Sequence, residues 1–442
     1  MKHTLLYVLA IATLCSLAGC SRQEKNLFDQ SAAERLHAME QSVHDNLVSS
    51  TSGWEMRYFP SPDDAGYAIL AHFRNDGTVT MAAKNEVSSK NTYKQETSLW
   101  GVDGTQGCVL TFHSYNKLFS IFADPLDDGI GYYGDYEFVV LKNETNTIYL
   151  KGKKHGAYIT MNRMNNALSW EDYYAAVDDF NAKTFTDNDG IDMTYWDGAK
   201  KIQVIYNNGI FTYKNGEEEE NRGFLVTPSG MDFYSGLPIA GSSAKAQHFV
   251  LSDDLKTLKT TDGKEYISSN YTPVEYFVYR LKKHSRWVYL ADDSDAATRA
   301  FVDSVNAALK PYNVVINTIA YEVTSGKNQM GGLSYNYGLR INYLFDGMQF
   351  GGRIDFSNTI TSDAITLKYK SHDEELKPLF IRLDASGADV PTGDGVEQIF
   401  CRIFAGTFVP ESYTGSALNL TQLRFKRADG ASIHVKAENV IM

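Results

Sequence analysis

The sequence predicts a mainly β protein (β-rich α+β) made of three consecutive modules. Each is an N-terminal helix followed by an antiparallel meander that forms a lipocalin-like small barrel or bent sheet. Three observations carry this expectation. The 442-residue chain is rich in Tyr (28), Phe (23) and Gly (34) but holds only 10 Pro, a composition that favours strands and turns. A helix-then-strand opening recurs three times, and a strand–turn–strand ending recurs with it. A chain of this length divides into about three domains, in agreement with the repeat.

The first element is a leader. Residues 4–19 form an apolar run behind Lys2, shorter than the ~20 residues a membrane-spanning helix needs, so residues 1–19 read as a lipoprotein signal peptide. The run ends Leu17-Ala18-Gly19-Cys20 and resembles the bacterial lipobox, in which small residues admit the peptidase and the thiol takes the diacylglycerol. Cys20 is therefore the expected lipid-attachment residue, and several acyl chains anchor firmly where a single one is marginal. Cys15 falls in the discarded segment. Residues 20–30 form the lipidated linker, and a flexible six-residue run such as 21–26 reaches only about 12–15 Å, which holds the first module near the membrane.

Module 1 spans 31–165. It opens with an amphipathic helix over 31–49, capped by Ser31 and Glu34, with Leu36, Met39, Val43 and Leu47 along one face. The alternating stretch 53–58 (GWEMRY) follows as a strand. Module 2 spans 166–285 and repeats the opening: a helix over 169–181 with Trp170, Tyr173, Val177 and Phe180 facing inward, then a strand over 191–196. Module 3 spans 286–442, with Phe301, Val302, Val305 and Leu309 marking its helix over 294–309 and a strand over 319–323.

Within each module short alternating runs are separated by turn signals. Asn75-Asp76-Gly77 and Asn207-Asn208-Gly209 are hairpin chemistry, because tight turns need positive φ that Asn, Asp and Gly tolerate. The endings 137–156, 248–266 and 418–435 share one plan of strand, turn, strand, Gly-bearing turn and strand. About eight strands per unit give a barrel whose interior is filled by side chains or holds one small ligand.

Charge and motifs narrow the function by exclusion. With a net charge of −12 and no basic patch, the chain is not expected to bind nucleic acid. Gly129-Ile130-Gly131-Tyr132-Tyr133-Gly134 matches G-x-G-x-x-G but leads into the strand-like run 135–141. A phosphate-binding loop needs a helix there, so the match reads as a glycine loop entering a strand. Residues 187–192 (DNDGID) resemble part of a calcium loop with the glycine misplaced, and read as a solvated turn. Glu217–Glu220 read as a charged hairpin tip, and His372-Asp373-Glu374-Glu375 as loop. Neither H-E-x-x-H nor G-x-S-x-G occurs, so no catalytic residue, metal site or cofactor is expected. Cys108 and Cys401, distant in sequence and in different modules, are expected to be buried thiols rather than a disulfide.

The lipobox, residues 27–36 (LFDQSAAERL), 53–60 (GWEMRYFP), 134–138 (GDYEF) and 150–153 (LKGK) together resemble the lipoprotein family called domain of unknown function 4302. The likeness is sharpest over the first 160 residues. It implies an outer-membrane lipoprotein of Bacteroidota, with the cell surface favoured over the periplasmic face, in the setting of starch-utilisation-type uptake systems. An outer-membrane transporter and its partner lipoprotein are the partners that setting implies.

A membrane-anchored, non-catalytic binding or accessory component of an outer-membrane uptake system, taking a glycan or a peptide, is the expected function. The alternatives are a surface hydrolase using paired carboxylates and a structural or adhesive protein. Tyr132 and Tyr133 in one glycine loop, and Tyr335 and Tyr337 near another, are the candidate ligand-contact aromatics, since exposed tyrosines stack on sugar rings or peptide groups.

Overall fold

The structure, a computed structural model, describes residues 30–104, 107–125, 131–156, 158–185, 191–234, 248–283, 285–291, 296–327, 332–387 and 398–439. Cys20, the leader and most of the linker lie outside these residues, as do Gly129, Ile130 and the acidic turn 187–190.

Alternation along the strands closes each module into a barrel. In Lys201–Asn207 (KIQVIYN) residues alternate exposed and buried without exception, so one face turns inward and the other to solvent. Two-residue turns join such strands where sequence supplies positive φ. Asn208 and Gly209 sit at φ 47° and 76°, and Asn207 pairs with Ile210 across them. Three closed, eight-stranded antiparallel barrels result, each strand paired to its neighbours in sequence. The first closes through Trp54↔Arg163, the second through Trp196↔Tyr266 and the third through Trp287↔Ala437.

Aromatic side chains fill the interiors. In the first barrel Phe119 lies 4.7 Å from Phe112, and Phe122 lies 4.4 Å from Tyr67, ring centroid to centroid. In the second, Phe211 and Phe224 stack at 5.0 Å with Phe233 and Phe249 beyond. Trp54, Met56, Leu110, Phe138, Met193, Phe249 and Trp287 are wholly buried. Of the two interiors an eight-stranded barrel permits, the chain adopts the filled one.

The first helix seats as its capping box predicts, and the third barrel brings a correction. Ala32–Val48 starts at Ser31, which accepts the Glu34 amide (3.2 Å) while Glu34 accepts the Ser31 amide (2.8 Å). Its Val43 and Leu47 cover the first barrel, and Trp54 Nε1 donates to the Leu47 carbonyl at 2.9 Å. The helix that opens the third barrel is Pro273–Lys282, capped by Thr272 and Glu275, not the 294–309 segment. Strand Ser285–Tyr289 follows it, and helix Ala296–Leu309 falls between that strand and Val314–Lys327. Phe277 explains the arrangement: its ring packs 5.0 Å from Phe425 and 5.3 Å from Trp287 in the third core.

Helix Trp170–Thr184 joins all three barrels. Tyr174 donates to the Ala68 and Ala82 carbonyls of the first barrel (3.0 and 2.8 Å), and Phe180 enters the second core. At its C-terminal end Asn419 of the third barrel donates to the Ala182 and Phe185 carbonyls (2.8 and 3.1 Å), satisfying groups a helix end leaves open. Leu418 beside it is buried in the second core.

Candidate functional site

Two ligand-sized grooves lie outside the barrel cores. One groove of about 510 Å³ sits where the outer face of the first barrel meets the segment leading into helix Trp170–Thr184. That volume falls within the range of small-molecule sites. Strand alternation builds its floor. His72 lies between buried Ala71 and Phe73, and Thr80 between buried Val79 and Met81, so both face outward, and they are cross-strand partners. Arg74 Nη1 donates to Thr80 Oγ1 at 2.8 Å, and Thr80 Oγ1 lies 2.9 Å from Thr97 Oγ1. Gln95, hydrogen-bonded to the Tyr93 hydroxyl, completes this side.

The opposite wall comes from two loops. Trp170 lines it, its Nε1 donating to the Ser52 carbonyl at 3.0 Å, while Ser52 Oγ is hydrogen-bonded to Asn166 Oδ1. Gly53 makes room for the indole. It has φ 88°, and a Cβ there would stand 2.9 Å from Trp170 Cζ2 and 2.7 Å from the Ala71 carbonyl. Burial and then Arg74 lower the pKa of His72, so its ring is neutral near pH 7. The lining therefore offers hydroxyl, amide and imidazole groups, one guanidinium and an indole, with no carboxylate.

A second groove of about 350 Å³ is lined by residues 134–137 with Lys153 and Lys154. Its base is a hydrogen-bonded knot. The buried Asp135 carboxylate accepts the amides of Lys154 (2.9 Å) and His155 (3.1 Å), and the Asp135 amide donates to the Tyr58 hydroxyl (3.1 Å). A Cβ at Gly152 would lie 2.0 Å from Asp135 Oδ2, and one at Gly134 would lie 2.1 Å from Tyr58 Oη. The GDYEF and LKGK stretches are thus held together by packing and hydrogen bonding.

The four candidate tyrosines separate. Tyr133, with φ 57°, is exposed beside this second groove, its ring meeting the edge of His155 at 5.8 Å. Tyr132 packs on Phe122 at 5.7 Å and is half-buried. Tyr335 is partly buried under the Lys282 ammonium (5.0 Å), and Tyr337 is in the third core. Tyr337 is therefore corrected from a contact candidate to a core residue. Residues 335, 337, 339, 341 and 343 share one strand face, and that face turns inward.

The structure also joins charges that no spacing in the sequence connects. Arg57 of the first barrel binds Glu55 Oε2 (Nε, 2.9 Å) and Asp232 Oδ1 of the second (Nη1, 2.8 Å). Tyr173 donates to Glu55 Oε1 at 2.6 Å, and His248 Nδ1 lies 3.1 Å from Asp232 Oδ1. Both carboxylates serve one guanidinium, and none of the five residues lines either groove, so the cluster is a joint between barrels. Among the described residues no three His, Cys, Asp or Glu side chains are placed to hold a metal ion, and no helix is long and apolar enough to cross a membrane. Cys108 and Cys401 are both free and sit in different barrels.

Fold and surface together define a three-barrel protein with filled barrels and polar grooves on the outside of the first. The chain belongs to the family described as Domain of unknown function (DUF4302), whose model matches residues 24–252, more than half of the 442. The match covers the first barrel, both grooves and the second barrel through strand His248–Leu251. No curated protein matches the chain. Among solved structures, the DNA polymerase III beta chain of Streptococcus pneumoniae aligns over 91% of this chain and 98% of its own, at 8% identity and a TM-score of 0.14, too low to support any argument.

Sequence reasoning missed the groove residues His72, Arg74, Gln95, Asn166 and Trp170, which come from separate elements. The helical spacing alone places Trp170 on the inward face. The one available signal was the outward His-x-Arg of strand Tyr67–Phe73 and its turn, placing an imidazole and a guanidinium on one side.

Proposed function

We propose that this chain is a lipid-anchored, non-catalytic binding lipoprotein of the outer membrane that holds a polar ligand, a glycan or a peptide, for an uptake system. The groove of about 510 Å³, where Trp170 faces a floor of hydrogen-bonding side chains, is the observation that carries this reading. An indole supplies apolar area, and the hydroxyls and amides around it supply orientation, the combination small-molecule sites use. The lipobox at Cys20 supports the anchor.

The chain beginning at Ser21 keeps every described element. Applied to glycan and peptide arrays, it is expected to retain a subset of ligands, and Trp170→Ala is expected to abolish that retention. In cells, Cys20→Ser is expected to release the protein from the membrane fraction. No retained ligand and no co-purifying membrane partner would overturn the reading; release of shortened products from a retained glycan would move it to a hydrolase.

A further inference from the structure

We propose that the groove beside Trp170 selects a carboxylate-bearing saccharide, an oligomer containing a uronic acid, with Arg74 as the residue that meets the carboxylate. This rests on the binding reading above and names its ligand class.

Arg74 carries the argument. It is exposed where strand Tyr67–Phe73 ends and lines the groove as its one cation. Among the described residues Arg74 forms no ion pair; its hydrogen bond goes to the neutral Thr80 hydroxyl. Asp76 in the same turn accepts the Thr78 amide at 3.0 Å and the Thr78 hydroxyl at 2.6 Å, and Arg74 adds only a through-space attraction that ranks below those bonds. The groove lining contains no acid at all. Arg74 is the one cation in that lining, and Asp172, the acid beside it, is held by the Ser169 hydroxyl at 2.7 Å. A guanidinium also matches a carboxylate in bidentate geometry.

The closed barrel removes one mode of peptide recognition and leaves the groove lining to favour a saccharide. Peptides recognised by strand addition need a free sheet edge, and every strand of the closed first barrel is paired on both sides. What the groove does offer is a set of short hydroxyl and amide groups (Ser52, Thr80, Gln95, Asn166) around one indole. Sugar hydroxyls can share the hydrogen bonds these groups already make to protein partners, and the indole adds apolar area beside them. Neutral His72 adds a hydrogen-bonding partner beside the carboxylate position without a second charge.

The test uses the chain from Ser21, with uronate oligosaccharides (galacturonate, glucuronate and mannuronate trimers) and their methyl esters, which keep the skeleton and remove the charge. Calorimetric titration is expected to show at least one acid bound about tenfold or more tighter than its ester. Arg74→Gln is expected to bring the acid to the level of the ester, while Arg74→Lys retains part of the preference. Unchanged melting of both variants establishes that the fold is intact. Equal binding of acid and ester, or an acid preference that survives Arg74→Gln, overturns the charge assignment. If neutral glycans bind and Trp170→Ala removes them, the groove reading stands without it. If Trp170→Ala alters no saccharide binding, the groove reading itself falls.

Discussion

Arg57 Nη1 and Asp232 Oδ1 stand 2.8 Å apart across the joint between the first and second barrels. The guanidinium also holds Glu55, and Tyr173 from the bridging helix closes over that carboxylate. Burial is tight, with Asp232 and Glu55 side chains 8% and 11% exposed.

Removing the guanidinium leaves two poorly solvated carboxylates without the cation they share. Arg57→Met is therefore expected to destabilise the protein by about 3–5 kcal/mol, the range for breaking a buried pair from one side. Chemical denaturation of the variant measures it. Adding Asp232→Asn and Glu55→Gln is expected to recover part of the loss, because the stranded charges go with them.

His248 makes the same joint sensitive to pH. Its hydrogen bond to Asp232 raises its pKa, against the lowering effect of burial and of Arg57. A raised folded pKa contributes stability that is complete below the unfolded value of about 6.5 and is lost as pH rises through the folded value. Denaturation midpoints are thus expected to fall from about pH 6.5 upward, and His248→Gln is expected to flatten that fall. Parallel pH curves for wild type and variant would show that the pair contributes nothing.

Gly152→Ala tests the knot beneath the second groove. The new methyl group collides with Asp135 Oδ2 and drives the carboxylate off the Lys154 and His155 amides. Thermal melting is expected to report a loss of about 1–3 kcal/mol, the cost of buried groups left unpaired. Asp135→Ala is expected to fall in the same range, since it empties the same two hydrogen bonds.

Cys108 and Cys401 should be unreactive in the native protein. Burial pushes the first thiol up to about 11 and the second to about 12, and the thiolate is the reactive form. A thiol reagent at pH 8 is expected to label neither residue until denaturant unfolds the barrels, after which both react. Reductant is expected to leave the melting temperature unchanged, as the two cysteines are free.

Much of this architecture was legible because its signals are local. Ser31 and Glu34 lie three residues apart, so a capping box is visible in sequence and reappears at 2.8 and 3.2 Å. Asn208 and Gly209 announce a turn because only their own backbone angles matter. Alternation in Lys201–Asn207 declares which side chains turn inward. Tyr337 misled for an equally local reason. Its glycine-rich neighbours suggested a loop, whereas Leu333–Phe345 runs as a thirteen-residue strand through them.

The groove and the joint were not legible, since each gathers residues that are remote along the chain. Trp170 meets Ser52 across 118 positions, and Arg57 meets Asp232 only once two barrels dock. Sequence alone determined the repeated helix-and-meander plan, the turns and the alternation, because period and backbone angle act between near neighbours. Tertiary structure decided that aromatic side chains pack the barrel cores, that Pro273–Lys282 opens the third, and that Arg74 and Trp170 line one groove. Those outcomes depend on how curved sheets close and pack, which joins residues by distance in space and not by spacing in the chain.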